Sequence, residues 1–150
     1  MPQDDNPRVR VPPPLIFAGL VALGLVIDRA PFRPGPAQLA GAALGAAGFA
    51  LIAVALGLFA GAGTRAEPWQ PASRLVDRGV YRFTRNPMYL GMGLLSLGVA
   101  LAFSSLAGAL LALAALIIVD RAVVTREEAY LKRRFGADYI AYTRRVRRWL

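Results

Sequence analysis

Three uncharged runs, Val11–Ile27, Pro34–Thr64 and Asn86–Val119, constrain this chain more than any other feature. A helix that crosses about 30 Å of hydrocarbon needs about 20 apolar residues. The first run predicts a short helix, about Pro13–Ile27, with proline in its first turn, where the missing N–H costs nothing. The second predicts a full span, about Ala37–Leu58 or a little beyond. The third holds 34 residues, and as one helix would be about 51 Å long, too long for one span. Ser104-Ser105 and then Gly108 offer a break in its middle. It reads as a tight hairpin of two short helices, about Met88–Phe103 and Leu106–Val124, with no charge in its turn.

Charge orients these elements. The chain carries 18 Lys and Arg against 9 acids. That balance suits nucleic acid or an anionic membrane surface, and the uncharged runs decide for the membrane. Nine of the cations lie in Asp120–Leu150, five in Thr64–Arg85, two (Arg29 and Arg33) in Asp28–Pro36, and none in the hairpin turn. By the positive-inside rule the middle loop and the tail face the cytoplasm. Four spans then return the N-terminus, with Arg8 and Arg10, to the same side. The expected location is an integral protein of a bacterial inner membrane with both termini cytoplasmic. The first thirty residues make a poor signal peptide, because Asp28-Arg29-Ala30-Pro31 is not a small-x-small cleavage site.

The expected fold is therefore all-α: four transmembrane helices, the last two a short hairpin, then a cytoplasmic amphipathic helical segment. Residues 1–62 form a two-helix scaffold and 63–150 the motif-bearing part of one domain. Gly41-x-x-x-Gly45 and Gly57-x-x-x-Gly61 in the second span either let backbones approach closely within the bundle or reflect only a chain rich in Gly. In the tail, Thr125–Arg134 is a polar helix and Phe135-Gly136 its stop. Ala137–Leu150 then sets Tyr139, Tyr142, Val146 and Trp149 opposite Arg144, Arg145, Arg147 and Arg148. That pattern fits an interfacial helix that closes over a site, or alternatively a solvated tail that only fixes topology.

Absences narrow the chemistry. There is no Cys and no His, which excludes disulfides, thiol nucleophiles, His bases and the usual zinc and haem ligands. All nine acids sit at helix ends or in loops, so the embedded carboxylate of a proton-coupled transporter is missing. The ionisable groups crowd one membrane face instead. A hairpin brings its two ends together, so Asn86-Pro87-Met88-Tyr89 should neighbour Asp120–Glu128. Tyr81 and Tyr89 serve either a ligand or an interfacial aromatic belt. Glu127 and Glu128 either bind a ligand or pair with Arg126, Lys132 and the Arg cluster. Arg82 and Arg85 either orient an anionic acceptor or bind lipid phosphates.

These motifs in order resemble a known family. They comprise Gly79-Val80-Tyr81, Arg85-Asn86-Pro87-Met88-Tyr89, a helical hairpin, Glu127-Glu128, and Phe135-Gly136-Ala137-Asp138-Tyr139 with Tyr142. The family is the integral-membrane methyltransferases of the isoprenylcysteine carboxyl methyltransferase and phospholipid methyltransferase type, and the resemblance runs from about Thr64 to Leu150. It implies S-adenosylmethionine as cofactor and a lipophilic acceptor, either a carboxylate or a phospholipid amine. It also implies cofactor contacts from Leu75, Val76, Tyr81, Asn86, Pro87, Met88, Tyr89, Glu127 and Glu128. Arg82 and Arg85 remain candidates for orienting the acceptor. No catalytic residue is assigned, since displacement at a sulfonium carbon needs alignment and desolvation more than a base. Two positions depart from the eukaryotic prenylcysteine enzymes: Asn86 stands where they have His, and Val123 where they have a basic residue near the acceptor. The alternative function is a non-catalytic membrane protein that keeps the scaffold: a helper, sensor or assembly subunit. A nucleic-acid binder ranks below both, because the Arg residues flank apolar runs. Expected partners are the bilayer and a lipid or lipophilic small molecule, with no nucleic acid and no metal.

Overall fold

The computed structural model describes residues 11–32, 34–67 and 70–150, so Arg8, Arg10 and Arg33 lie outside the described residues. Among the described residues every regular element is helical: α1 (Pro13–Ile27), α2 (Pro36–Gly61), α3 (Pro87–Ala102), α4 (Leu106–Val119) and α5 (Thr125–Arg145). A 3₁₀ turn, Gly79–Arg82, precedes α3, and a π-helical turn, Asp120–Val124, joins α4 to α5. Proline occupies the first turn of α1, α2 and α3, where its fixed φ starts a helix. Ser105 caps α4, its Oγ accepting from the Gly108 N–H at 2.9 Å.

α2 and α4 bury mainly small residues and expose large apolar ones. α2 packs mainly on α3, and α1 on α4. The buried face of α2 is Gly41, Gly45, Gly48 and Ala55, whereas Leu39, Phe49, Val54 and Leu56 point outward. α4 likewise buries Gly108, Ala112 and Ala115 and exposes Leu106, Leu110, Leu113 and Ile117. A water-soluble bundle would turn those leucines inward; helices in lipid gain nothing by doing so and associate through close backbone contact. A Cβ on Gly98 would stand 2.5 Å from the Gly45 nitrogen and 2.6 Å from the Gly41 carbonyl oxygen. So Gly41 and Gly45 pack within the bundle, while Gly57 meets nothing and Gly61 only the tip of Arg78. Two helical segments are long and apolar enough to cross a membrane: α2, and the continuous helix beginning at Leu106, whose apolar part ends before Thr125. α1 and α3 are apolar but shorter.

The expected stop at Phe135-Gly136 is present: Gly136 leaves helical geometry at φ 53° and ψ −120°, and α5 is two helical segments joined at that kink. One tail expectation needs correction. Ala137–Leu150 is not one amphipathic helix, because the chain leaves α5 in an extended conformation at Val146. Tyr139, Tyr142 and Val146 do share a cluster, on Leu75, Leu131 and Phe135. Trp149 parts from them and packs against the core formed by Phe17, Tyr89, Ala115, Val119, Val123 and Val124. The helix expected to run from Leu106 to Val124 also changes form after Val119, where the π turn takes over.

Candidate functional site

The start of α3, the loop after α2 and α5 enclose a cavity. Pro87, the first residue of α3, pushes Asn86 out of helical geometry, to φ −127° and ψ 49°, and the 3₁₀ turn buries Tyr81. Across the cavity, the first turn of α5 presents Glu127 and Glu128. Leu75, Val76, Tyr81, Asn86, Met88 and Tyr89 all line the same space, so the two sequence clusters converge there. Pro87 is buried but does not line it; its place is the first residue of α3. Arg85 lines the cavity, whereas Arg82 is exposed and does not.

The two glutamates have different surroundings. Glu128 is held by Arg148, through Nη2 at 2.6 Å and Nε at 3.2 Å, and by Arg85 Nη2 at 3.2 Å. Glu127 has no cation within ion-pair distance among the described residues; its Oε1 accepts a 2.7 Å hydrogen bond from the Tyr89 hydroxyl. Burial pushes the Glu127 carboxyl up to about 7, with the Glu128 charge adding to the rise and the Tyr89 bond opposing it. The carboxylate stands at the wall of a cavity lined by Tyr81, Tyr89, Tyr130, Tyr139, Tyr142 and Phe59. The Tyr81 ring meets Phe59 edge-on at 5.5 Å, and its buried hydroxyl has no hydrogen-bond partner. Burial holds that hydroxyl in its protonated form.

Asn86 is partly committed within the protein. Its Nδ2 donates to the Arg148 carbonyl at 2.9 Å, which leaves Oδ1 for a ligand. Thr84 Oγ1 donates to the same carbonyl at 3.1 Å, and the Arg85 N–H donates to the Arg147 carbonyl at 3.0 Å. Residues after α5 thus lie alongside the segment before α3. The Tyr142 hydroxyl donates to the Tyr81 carbonyl at 2.8 Å and fixes the second half of α5 against the 3₁₀ turn.

Arg65, Gln70, Ala72 and Tyr130 also line the cavity, and no sequence motif pointed to them as site residues. They come from the irregular loop after α2 and from the third residue after Glu127. The Tyr130 hydroxyl accepts from the Ala72 N–H at 2.9 Å and ties that loop to α5. The recurrence of Tyr at 130, 139 and 142 was the available signal.

A profile of the phospholipid methyltransferase family matches residues 37–138, more than half of the chain. The chain belongs to the phospholipid methyltransferase family. No curated protein and no solved structure matches it. The family match begins in α2, well before Thr64, and ends one residue before Tyr139. It takes in both glutamates and the whole Arg-Asn-Pro-Met-Tyr segment, and leaves Tyr142 and Arg148 outside. Family membership makes methyl transfer to a lipid-like molecule the activity at issue for this cavity.

Proposed function

We propose that the chain transfers a methyl group from S-adenosylmethionine to a lipophilic acceptor at the cytoplasmic face of a bacterial inner membrane. One observation carries this reading: Glu127 is a partly buried carboxylate on the cavity wall with no cation beside it among the described residues, while its neighbour Glu128 has two. A partly desolvated anion without a counter-charge is costly, and a ligand's ammonium group would relieve that cost. The rest of the cavity suits the same ligand. Glu127 would take the amino group, and Tyr81 and Tyr89 offer aromatic faces to the adenine or the sulfonium. The unpartnered Tyr81 hydroxyl and Asn86 Oδ1 remain for polar edges, and Leu75, Val76 and Met88 supply apolar contact. When bound, S-adenosylmethionine supplies a methyl group on a positively charged sulfur, ready for in-line displacement. The chain's task is to align the acceptor and exclude water.

The acceptor, a carboxylate on a lipid-like molecule or a phospholipid amine, would come from the bilayer. Arg85, which lines the cavity and whose buried Nε has no partner, would orient an anionic part of it. This reading includes four spans, with α1 and α3 crossing a locally thinned bilayer. Calorimetric titration with S-adenosylmethionine and S-adenosylhomocysteine tests it. Binding of both is expected. Absence of both would leave the scaffold-only alternative.

A further inference from the structure

The family match ends at residue 138, yet one side chain beyond it touches Glu128 of the cavity and Asp120 at the end of α4. The Arg148 guanidinium bonds Glu128 through two nitrogens, at 2.6 and 3.2 Å, and Asp120 Oδ1 through Nη1 at 3.3 Å. Trp149 Nε1 donates to the same Asp120 oxygen at 3.0 Å. The backbone carbonyl of Arg148 meanwhile accepts from Asn86 Nδ2 and Thr84 Oγ1. One residue therefore joins the segment before α3 to the start of α5.

The π turn makes that possible. In a continuous α-helix each residue advances about 100°, so positions eight apart diverge by about 80°. A π turn takes up one extra residue, which brings Asp120 and Glu128 onto one face and turns Glu127 away from it. The observed bonds follow this geometry: Asp120 and Glu128 share Arg148, and Glu127 meets Tyr89.

We propose that Arg148 is a positioning residue for the cofactor's amino-acid end. It holds Glu128 and Asp120 on its own side, leaving Glu127 as the member of the pair without a counter-cation, and its carbonyl fixes Asn86. Without it, Glu128 would keep only the Arg85 contact, and two adjacent carboxylates would compete more directly for the same proton and the same cation. The proposal rests on the methyltransferase reading above.

The test compares two ligands on the purified full chain in detergent. S-adenosylhomocysteine carries the amino-acid end; 5′-methylthioadenosine carries the same nucleoside without it. Arg148→Ala should weaken S-adenosylhomocysteine about tenfold or more and change methylthioadenosine by no more than about twofold. Arg148→Lys, which keeps a positive charge there, should recover most of the loss. Arg148→Gln, which keeps polarity and length without charge, should behave as Ala does and serves if the Ala variant fails to fold. Unchanged binding of both ligands overturns the proposal. So does an equal loss of both, which would make Arg148 a structural strut only. Failure of the unsubstituted chain to bind either nucleoside overturns the methyltransferase reading and this proposal with it.

Discussion

Glu127 and Glu128 are chain neighbours with opposite electrostatics, and the difference has measurable consequences. The Glu127 carboxyl is pushed up to about 7 in the ligand-free protein, above its ordinary value of 4.5. An acid raised in the folded state contributes stability that is fully present below the unfolded value and lost as pH rises through the folded one. The ligand-free protein should therefore melt at a lower temperature at pH 8 than at pH 5, other groups being equal. Glu127→Gln should flatten that dependence over this window in detergent-solubilised melts. A cationic ligand favours the ionised carboxylate, so binding should release a proton below about pH 7. Titration in buffers of different ionisation heat would read that release. Glu127→Gln should also weaken S-adenosylmethionine by about 1.5–3 kcal/mol, the range for a hydrogen bond to a charged group. Unchanged affinity in a folded variant would remove Glu127 from the site.

At the scale of elements, the glycines of α2 and α3 set the bundle. Gly48 and Gly91 face one another so closely that a Cβ on Gly48 would lie 2.5 Å from the Gly91 carbonyl oxygen. Gly98→Ala and Gly48→Ala should each cost about 1–3 kcal/mol through overpacking against backbone that cannot yield. Gly57→Ala, with nothing within 4 Å, should stay within about 1 kcal/mol and on the stabilising side. Reversible unfolding in mixed detergent would rank the three. Equal effects would mean that α2 and α3 are not in such contact. The motif Gly-x-x-x-Gly occurs twice in α2, and only its first copy has a partner helix. Sequence spacing supplies the small face but not the neighbour that uses it.

For the whole molecule, the positive-inside reading places both termini and the loop between α2 and α3 on the cytoplasmic side. The chain has no native cysteine, so single introduced ones report cleanly. A cysteine at Gly35 should label only from outside and one at Ser73 only from inside. Labelling of both from one side would change the span count. Removal of Val146–Leu150 should lower S-adenosylhomocysteine affinity at least as far as Arg148→Ala does, because it also strips the carbonyls that Asn86, Thr84 and Arg85 use. Equal binding by the truncated and intact proteins would reduce this segment to a topology anchor.

The helices and the meeting of two polar clusters are legible in the chain alone. Long uncharged runs bounded by Pro, Gly and charge leave the backbone no other way to satisfy its hydrogen bonds in lipid, so α1 spans Pro13–Ile27 as read from the chain. A hairpin must bring its ends together, so Tyr89 and Glu127 had to lie close. Tertiary structure alone decided which glutamate is neutralised, where Arg148 and Trp149 turn, and which loop residues complete the cavity. Those outcomes depend on a π turn inside an apolar stretch and on an extended segment after α5. Neither leaves a periodic trace, because one added residue per turn changes which face a side chain occupies without changing composition.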